Sequence, residues 1–325
     1  MAASMYAGAL VVLALAAAAC ILSPLNLYDG EMCLLPTTAM CEMAAHRARA
    51  QRDDECALAA GVRTAALHPV NAAESVRALR QQGYATVAQA LAQPLATRLR
   101  QELVALARAR PGFYSRRGCI GALSVCSRRY DVPLLLDDVP ALPEALAEVG
   151  AALGPILADL VGESGELVEL SAMLTCRGSP AQRLHPDLTA GGPRRLYSVF
   201  VALQDVSAEL GATRVVPATH LAARNPIKLG MLDDDDDELD SVEVPAALPT
   251  GAALIYDART VHRAGANNLG GRAMLMLSVQ HAGPPLEGST YSLHSNLTRD
   301  GIGTGRFTVG DLMRNFVGGG SGVAT

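Results

Sequence analysis

The feature that most restricts the fold of this chain is a change in hydrophobic periodicity near residue 166. Beyond it, short apolar runs alternate with turns rich in Gly, Pro and Asn. Runs of this length and composition predict β-strands. Many short strands behind a helical front half indicate a β-sandwich or jelly roll that carries helices. The predicted strands are 168–174, 196–203, 214–216, 242–244, 252–256 and 273–279.

The folded part of the chain before residue 166 is predicted to begin with two helices that flank a short strand. Asn71 and Glu74 have the spacing of a capping box, so a helix is expected to start there and to end at Gly83. The next residues, 84–87, read as a strand. Pro94 then suits the first turn of a second helix, whose leucines recur on one stripe.

Residues 112–139 are predicted to be irregular and are rich in arginine. They suit either an anionic substrate or a solvated basic loop, and the loop is preferred. A further helical region extends from 142 to 161. Gly150, Gly154 and Pro155 are expected to divide it into two helices.

Both ends of the chain differ in composition from its centre. Residues 7–22 form an uninterrupted apolar run, shorter than the roughly 20 residues that a spanning helix needs. We therefore interpret residues 1–23 as a signal peptide or signal anchor. Residues 24–66 are read as a Cys-containing linker, 67–290 as the folded domain and 291–325 as an extension with a Gly-rich tail. The expected location is the secretory pathway or a membrane anchored through that run, with the cytoplasm as the alternative.

The composition excludes some classes of partner. The net charge is −5, there is no Trp and there are four Phe, which argues against nucleic-acid binding. Only Lys228 is a lysine, so isolated arginines carry little weight as signals. The seven cysteines contain no C-x-x-C pair, which argues against a zinc ribbon. Cys33 and Cys41 suit either a disulfide or free thiols.

A candidate metal site is carried by His185 and Asp187, which are two residues apart in the sequence. Residues at this spacing on a strand point to the same face. A third ligand must come from elsewhere, and His262, which follows the predicted strand 252–256, is the candidate. Two His and one carboxylate on one face of an ion suit a non-haem Fe(II) oxygenase. Arg272 opens the next strand, and an arginine there could pair with the carboxylate of a cofactor.

In residues from about 70 to 282, the order of motifs resembles the phytanoyl-CoA dioxygenase family of Fe(II)- and 2-oxoglutarate-dependent oxygenases. The segment Gln182-Arg-Leu-His185-Pro-Asp187 carries most of the resemblance. The other matching segments are 83–87 with the helix after it, 201–206, 211–220, 251–257, 262–267 and Arg272.

The resemblance implies a double-stranded β-helix, that is, a cupin-like jelly roll flanked by helices. It also implies Fe(II), O2 and 2-oxoglutarate as cofactor and co-substrates, with succinate and CO2 released as a small organic molecule is hydroxylated. By position, the family's iron ligands fall on His185, Asp187 and His262, and no further catalytic residue is implied. The residues that correspond to the 2-oxoglutarate pocket are Arg272, Gln182 and Phe200. The alternative is a catalytically silent relative that binds a ligand or a protein partner.

Two positions depart from the family pattern. The usual Pro-Gly-Ser-His turn appears as residues 217–220, with Ala218 in place of the glycine. The backbone of this turn is therefore expected to differ, and His220 is expected to be structural. Ala264 stands where the family often has a small polar residue beside the cofactor, so one hydrogen bond is expected to be missing.

Overall fold

The computed structural model describes residues 27–28, 31–32, 71–109, 129–189, 191–221, 242–287, 289 and 307–314. The apolar run 7–22 and the cysteines Cys33 and Cys41 lie outside these residues. Within them, no helix is both long and apolar enough to cross a membrane.

The described chain contains four helices and eleven strands. The helices are α1 (Ala72–Gln82), α2 (Gln93–Ala109), α3 (Ala141–Val161) and α4 (Val309–Arg314). The strands are β1 (Leu27–Tyr28), β2 (Glu31–Met32), β3 (Tyr84–Val87), β4 (Arg129–Pro133), β5 (Glu166–Thr175), β6 (Leu196–Ala202), β7 (Thr213–Val215), β8 (Val244–Pro245), β9 (Ala253–Asp257), β10 (His262–Ala264) and β11 (Arg272–Gln280). Each of the six strands predicted after residue 166 overlaps one of these.

Two antiparallel sheets form the body of the domain. The larger has the strand order β3-β9-β6-β11-β5-β4, and the smaller has the order β10-β7-β8. Every paired strand is antiparallel to its neighbour. This layered arrangement confirms the predicted jelly roll.

The two faces of the larger sheet pack against different partners. Along β11, Leu275 and Leu277 point toward the helices and share a core with Leu153 of α3. Met274, on the opposite face, packs with Val215 of the smaller sheet. Because both faces are buried, β11 reads as a continuous apolar run rather than an alternating one. The inner face, between the sheets, is where polar side chains can be held away from water.

The first helix and strand form as the sequence predicted. The side chain of Asn71 accepts a hydrogen bond from the Glu74 amide, 3.3 Å away. Gly83 ends the helix in a left-handed conformation with φ of 82°. Its carbonyl oxygen then accepts bonds from the Asp257 amide and the Thr260 hydroxyl, at 2.8 and 2.9 Å. This turn therefore ties the end of α1 to the chain that leads into β10.

The predicted break in the third helix is wrong. Helix α3 continues through Pro155 to Val161 as one element. Gly150 and Gly154 allow helix α4 to approach, because a Cβ on Gly150 would lie 2.2 Å from the Leu312 carbonyl oxygen. A Cβ on Gly154 would lie 2.4 Å from the Met313 Cγ. Part of the C-terminal extension thus belongs to the core of the domain.

Replacing Gly150 with alanine is expected to destabilise the domain by about 2 kcal/mol, because the methyl group overpacks the contact with α4. Thermal unfolding followed by circular dichroism measures the change. Gly270→Ala is the matched control, since nothing lies within 4 Å of the Cβ it would add. Equal melting temperatures for the two variants would show that α4 does not dock on α3 in solution.

The candidate metal centre and cofactor pocket

His185 and His262 are paired through their backbones. The His185 amide donates to the His262 carbonyl at 3.0 Å, and the His262 amide donates back at 2.9 Å. Residues paired in this way carry their side chains on the same face. The two imidazole centroids are accordingly 4.8 Å apart.

Asp187 brings the third candidate ligand to the same place. Its Oδ1 lies 3.9 Å from the Nε2 of His185 and 3.6 Å from the Nε2 of His262. The ligand atoms of the three residues all lie within 4.8 Å of one another. Within the described residues, this is the one group of His, Cys, Asp and Glu side chains with the geometry to hold a metal ion.

The hydrogen bonds of the two imidazoles leave the nitrogens that face Asp187 available. Nδ1 of His185 lies 2.7 Å from the Arg183 carbonyl, and Nδ1 of His262 lies 2.9 Å from the Thr260 carbonyl. A carbonyl oxygen only accepts, so each Nδ1 carries a proton and each Nε2 is the nitrogen that can bind a metal. Burial lowers the pKa of His262 and favours the neutral ring. The donor set is therefore two imidazole nitrogens and one carboxylate.

Tyr256 holds the other oxygen of the aspartate. Its hydroxyl donates to Oδ2 of Asp187 at 2.9 Å, and its ring stacks on Phe200 with centroids 5.9 Å apart. Burial, reinforced by the charge of Asp187, keeps the pKa of Tyr256 well above its usual value, so the phenol remains a donor. The sequence analysis missed this residue. The only signal for it was an inward-facing position on β9, beside Leu254 in the interior cluster.

The chain leading into His262 is anchored by a buried ion pair. Arg259 donates to both oxygens of Asp257, at 3.0 Å from Nε and 2.9 Å from Nη2. The Val261 amide donates to the Thr219 hydroxyl at 2.8 Å. These contacts fix the turn from which β10 and its histidine emerge.

A pair of buried arginines lies beside this centre. Arg272 and Arg129 both face Thr175 in the sheet register. Nη2 of Arg272 donates to the Thr175 hydroxyl at 3.1 Å, and Nη1 donates to the Gly211 carbonyl. Arg129 donates to the carbonyls of Pro180 at 2.7 Å and Gly265 at 2.6 Å.

The electrostatics of these arginines indicate a site for an anion. Burial lowers the pKa of Arg272 to about 10. Burial, with repulsion from Arg272, lowers the pKa of Arg129 to about 9. The Nε of each side chain is buried without a hydrogen-bond partner in the described structure. Because the two buried guanidinium groups repel each other, binding of a carboxylate between them is strongly favoured.

The position of Arg129 corrects the interpretation of the last part of residues 112–139; residues 112–128 lie outside the described residues. The sequence predicted an irregular segment and favoured a solvated basic loop. Instead, Arg129 begins strand β4 and is 5% exposed. The Arg129 guanidinium donates to the Gly265 carbonyl, just beyond the end of β10. This contact joins distant parts of the chain, so no local sequence pattern reveals it.

Gln182 and Phe200, the other predicted pocket residues, lie near the metal centre. The Gln182 side-chain oxygen accepts from the Ala264 amide at 2.9 Å, and the Gln182 amide donates to the Ala264 carbonyl at the same distance. Gln182 therefore sits two residues along β10 from His262, with its side-chain amide nitrogen left for a ligand. Phe200 contacts Tyr256 through the stacking described above.

The turn at residues 217–220 was expected to differ in its backbone because Ala218 replaces a glycine. Instead, Ala218 adopts the left-handed conformation that a glycine would adopt. Ala218 has a φ of 65°, and no other non-glycine residue of the described chain has a positive φ. A left-handed conformation at alanine costs about 1 kcal/mol. His220 packs over Gly83, and its Nε2 lies 3.2 Å from the Arg80 carbonyl. It lies outside the metal-binding group, in agreement with a structural role.

Comparisons with known proteins agree with this geometry. The family model described as phytanoyl-CoA dioxygenase matches residues 72–273. Two curated proteins of Penicillium brasilianum, the multifunctional dioxygenases prhA and ausE, are 28% and 27% identical over 136 residues. The match covers 38% of this chain and 44% of each relative, so the chain spans less than half of their length. The crystal structure of the non-haem α-ketoglutarate-dependent carbocyclase SnoK, from nogalamycin biosynthesis, shares the fold with a TM-score of 0.52. It is 21% identical, over 69% of this chain and 90% of SnoK.

Proposed function

Because the chain belongs to the phytanoyl-CoA dioxygenase family, we propose that it is an Fe(II)- and 2-oxoglutarate-dependent dioxygenase that hydroxylates a small organic molecule. Succinate and CO2 are the co-products. The observation that carries this proposal is the pairing of a His, Asp, His cluster with two buried arginines on one inner face.

The donor set fits Fe(II). Imidazole nitrogens and a carboxylate suit this metal, and three ligands on one face leave the opposite face open. Backbone carbonyls orient both imidazoles, and the Tyr256 hydroxyl orients Asp187. Such outer contacts hold the ligands in place before the metal arrives.

The arginine pair fits a dicarboxylate that reaches the same metal. His262 begins β10, and Gly265, whose carbonyl binds Arg129, follows the end of that strand. Because three residues of strand span about 10 Å, His262 and Gly265 are about that far apart. In this proposal, 2-oxoglutarate binds the metal at one end and the guanidinium of Arg272 at the other, with Arg129 adding positive charge.

Each group in the site has a defined part in the proposed reaction. When bound, Fe(II) with 2-oxoglutarate and O2 supplies the oxidation of a C–H bond. His185, Asp187 and His262 would hold the metal ion. Arg272 orients the co-substrate. Tyr256, stacked on Phe200, orients Asp187 through its hydroxyl.

Anaerobic titration of the protein with Fe(II) and then 2-oxoglutarate tests this proposal directly. A metal-to-ligand charge-transfer band should appear only when both are present. Admission of O2 should then yield succinate, even without the natural substrate, at a slow uncoupled rate. Absence of both the band and succinate would favour a silent binding module. A metabolite panel screened for faster succinate release would then identify the substrate.

We further propose that the protein enters the secretory pathway through residues 7–22. Cys176, the only cysteine among the described residues, is disulfide-bonded, which is typical of proteins that mature in an oxidising compartment. Expression with a C-terminal tag, followed by cell fractionation and N-terminal sequencing, decides between a cleaved signal and an anchor. Recovery of the intact chain in the cytosol would contradict this location.

A further inference from the structure

A β-bulge in β5 turns an acidic side chain into the interior between the two sheets. On β11, Val279 lies opposite Leu167 of β5, and both pack in the core beside the helices. The neighbouring Ser278 lies opposite Glu169, so Val168 is an extra residue in β5. In a regular strand, Glu169 would share the face of Leu167, but the bulge reverses the alternation. Glu169 therefore lies on the inner face of the larger sheet.

Glu169 lies level with the candidate metal centre on this face. Its partner Ser278 lies opposite Ser198 of β6, which in turn lies opposite Tyr256 of β9. Tyr256 donates to Asp187 at 2.9 Å. The backbones of Glu169 and Tyr256 are therefore three strand spacings apart, about 14 Å. Because both side chains point into the same interior, a small organic molecule can span the distance from Glu169 to the metal centre.

The carboxyl group of Glu169 is buried with little to balance its charge. Glu169 is 4% exposed, and its one hydrogen-bond partner among the described residues is the Ser278 hydroxyl, 2.8 Å from Oε2. No cation of the described chain forms an ion pair with it. Burial raises the pKa of Glu169 to about 8, and the charges of Asp131 and Asp187 act in the same direction, against the effect of Ser278. A buried carboxylate is costly unless a cation pairs with it, so this position favours a positively charged ligand.

The inner face beside Glu169 also has an unsatisfied hydroxyl and room for a ligand. Ser171 lies two residues further along β5, on the same face, and is fully buried. Its hydroxyl has no hydrogen-bond partner in the described structure, a state that costs free energy unless a ligand or water completes it. Met173 and Phe200 line the same face and are only partly buried, so side chains do not fill the interior there.

The two ends of this face carry opposite charges. The arginines proposed to bind 2-oxoglutarate, Arg272 and Arg129, lie level with Thr175. Thr175 is six residues along β5 from Glu169, or about 20 Å. A dicarboxylate is therefore attracted to the arginine end and repelled from Glu169, whereas a cation is attracted to Glu169 and repelled from the arginines.

We propose that Glu169 is the substrate-recognition residue of this enzyme and that the substrate carries a positively charged amine. The ammonium group binds the Glu169 carboxylate and donates a further hydrogen bond to the Ser171 hydroxyl. The rest of the molecule crosses the inner face past Ser278 and Ser198, so that a C–H bond at its other end faces the metal centre. The inference rests on the proposed function, because it names the substrate class of the same site.

Binding of hexylamine to the metal-free protein tests the preference for a cation. In isothermal titration calorimetry, wild type should bind hexylamine about tenfold more tightly than hexan-1-ol, a neutral molecule of the same length, as expected for a charge-assisted hydrogen bond. Glu169→Gln should bind the two about equally, because glutamine keeps an acceptor for Ser278 but loses the charge. Glu169→Asp should keep the preference. Equal affinities in wild type, or no detectable binding of hexylamine, would overturn the inference.

A second partly buried acid provides the matched control. Glu102 accepts one hydrogen bond, from the Ala141 amide at 2.7 Å, and links α2 to α3 away from the inner face. Glu102→Gln should keep the preference for hexylamine over hexan-1-ol. Circular dichroism establishes that each variant is folded, and the comparison of the two probes in wild type does not depend on any variant. Loss of the preference in folded Glu102→Gln as well would overturn the assignment to Glu169.

Broadening of the proton NMR lines of hexylamine by bound Mn(II) tests its orientation. In protein loaded with Mn(II) and 2-oxoglutarate, the terminal methyl protons should broaden more than the methylene protons beside the nitrogen, because broadening falls steeply with distance from the metal. The opposite order would show that the amine binds the metal itself and would overturn the inference. Failure of wild type to bind Mn(II) would instead contradict the proposed function, whereas the calorimetry on metal-free protein would still decide the role of Glu169.

Discussion

Replacing Asp187 with alanine is expected to abolish succinate formation dependent on Fe(II) and 2-oxoglutarate. Loss of an outer contact typically lowers metal affinity or activity 10–100-fold, and loss of a direct ligand should lower turnover by more than about 100-fold. The remaining His185 and His262 cannot define three positions on one face. The variant also leaves the buried hydroxyl of Tyr256 without its acceptor. Succinate release and Mn(II) binding measure the two consequences.

A surface aspartate provides the control for this experiment. Asp159 forms an exposed ion pair with Arg80 at 2.6 Å, a kind of contact that contributes little to stability. Asp159→Ala should therefore retain wild-type turnover and metal binding. Undiminished turnover in Asp187→Ala would contradict the assignment of the metal centre.

Replacing Arg272 with leucine is expected to raise the KM for 2-oxoglutarate by about 100-fold, near 3 kcal/mol for a charge-assisted pair. Mn(II) affinity should change by less than about threefold, because Arg272 does not contact the three candidate ligands. The fold should tolerate leucine, since the change removes a buried charge that repels Arg129. Steady-state kinetics at varied 2-oxoglutarate and a parallel metal titration separate the two effects.

Two further variants make the Arg272 experiment specific. Arg272→Lys keeps a positive charge but loses the planar fork, so its KM should lie between wild type and Arg272→Leu. Arg98→Leu, which removes a half-exposed arginine paired with Glu144, should leave the KM unchanged. If the KM is unchanged in Arg272→Leu but rises strongly in Arg129→Leu, then Arg129 and not Arg272 binds the carboxylate of 2-oxoglutarate.

Much of the fold could be predicted because its signals are local. The capping side chain of Asn71 and the left-handed Gly83 fix the ends of α1 within a few residues. Strand positions follow from short apolar runs between turns, whether or not their partners are known. The family and the jelly roll are both confirmed on this basis.

The errors concern residues whose role depends on distant parts of the chain. Gly150 and Gly154 read as helix breakers until Leu312 and Met313 are seen to pack on them. Arg129 reads as a loop arginine until its contact with Gly265 is known. Local periodicity carries no information about such contacts.

The candidate site also contains residues that could be predicted from the sequence and residues that could not. His185 and Asp187 are close in sequence, so their shared face could be predicted from spacing alone. The hydrogen bond from Tyr256 could not, because its partner lies 69 positions away. The pocket roles of Gln182 and Phe200 remain predictions, although both residues lie beside the metal centre.

The backbone pairing of His185 with His262 has a mechanical consequence. These two residues form an isolated bridge, and β10 itself is three residues long, so few bonds hold this end of the smaller sheet closed. An ion coordinated by both side chains would clamp two chain segments that are remote in sequence, much as a cross-link closes a loop. At a free metal concentration 100 times Kd, mass action adds about 2.7 kcal/mol against opening. Amide hydrogen exchange at His185 and His262 would then slow on metal loading, because the two paired segments at this end of the barrel would open less often.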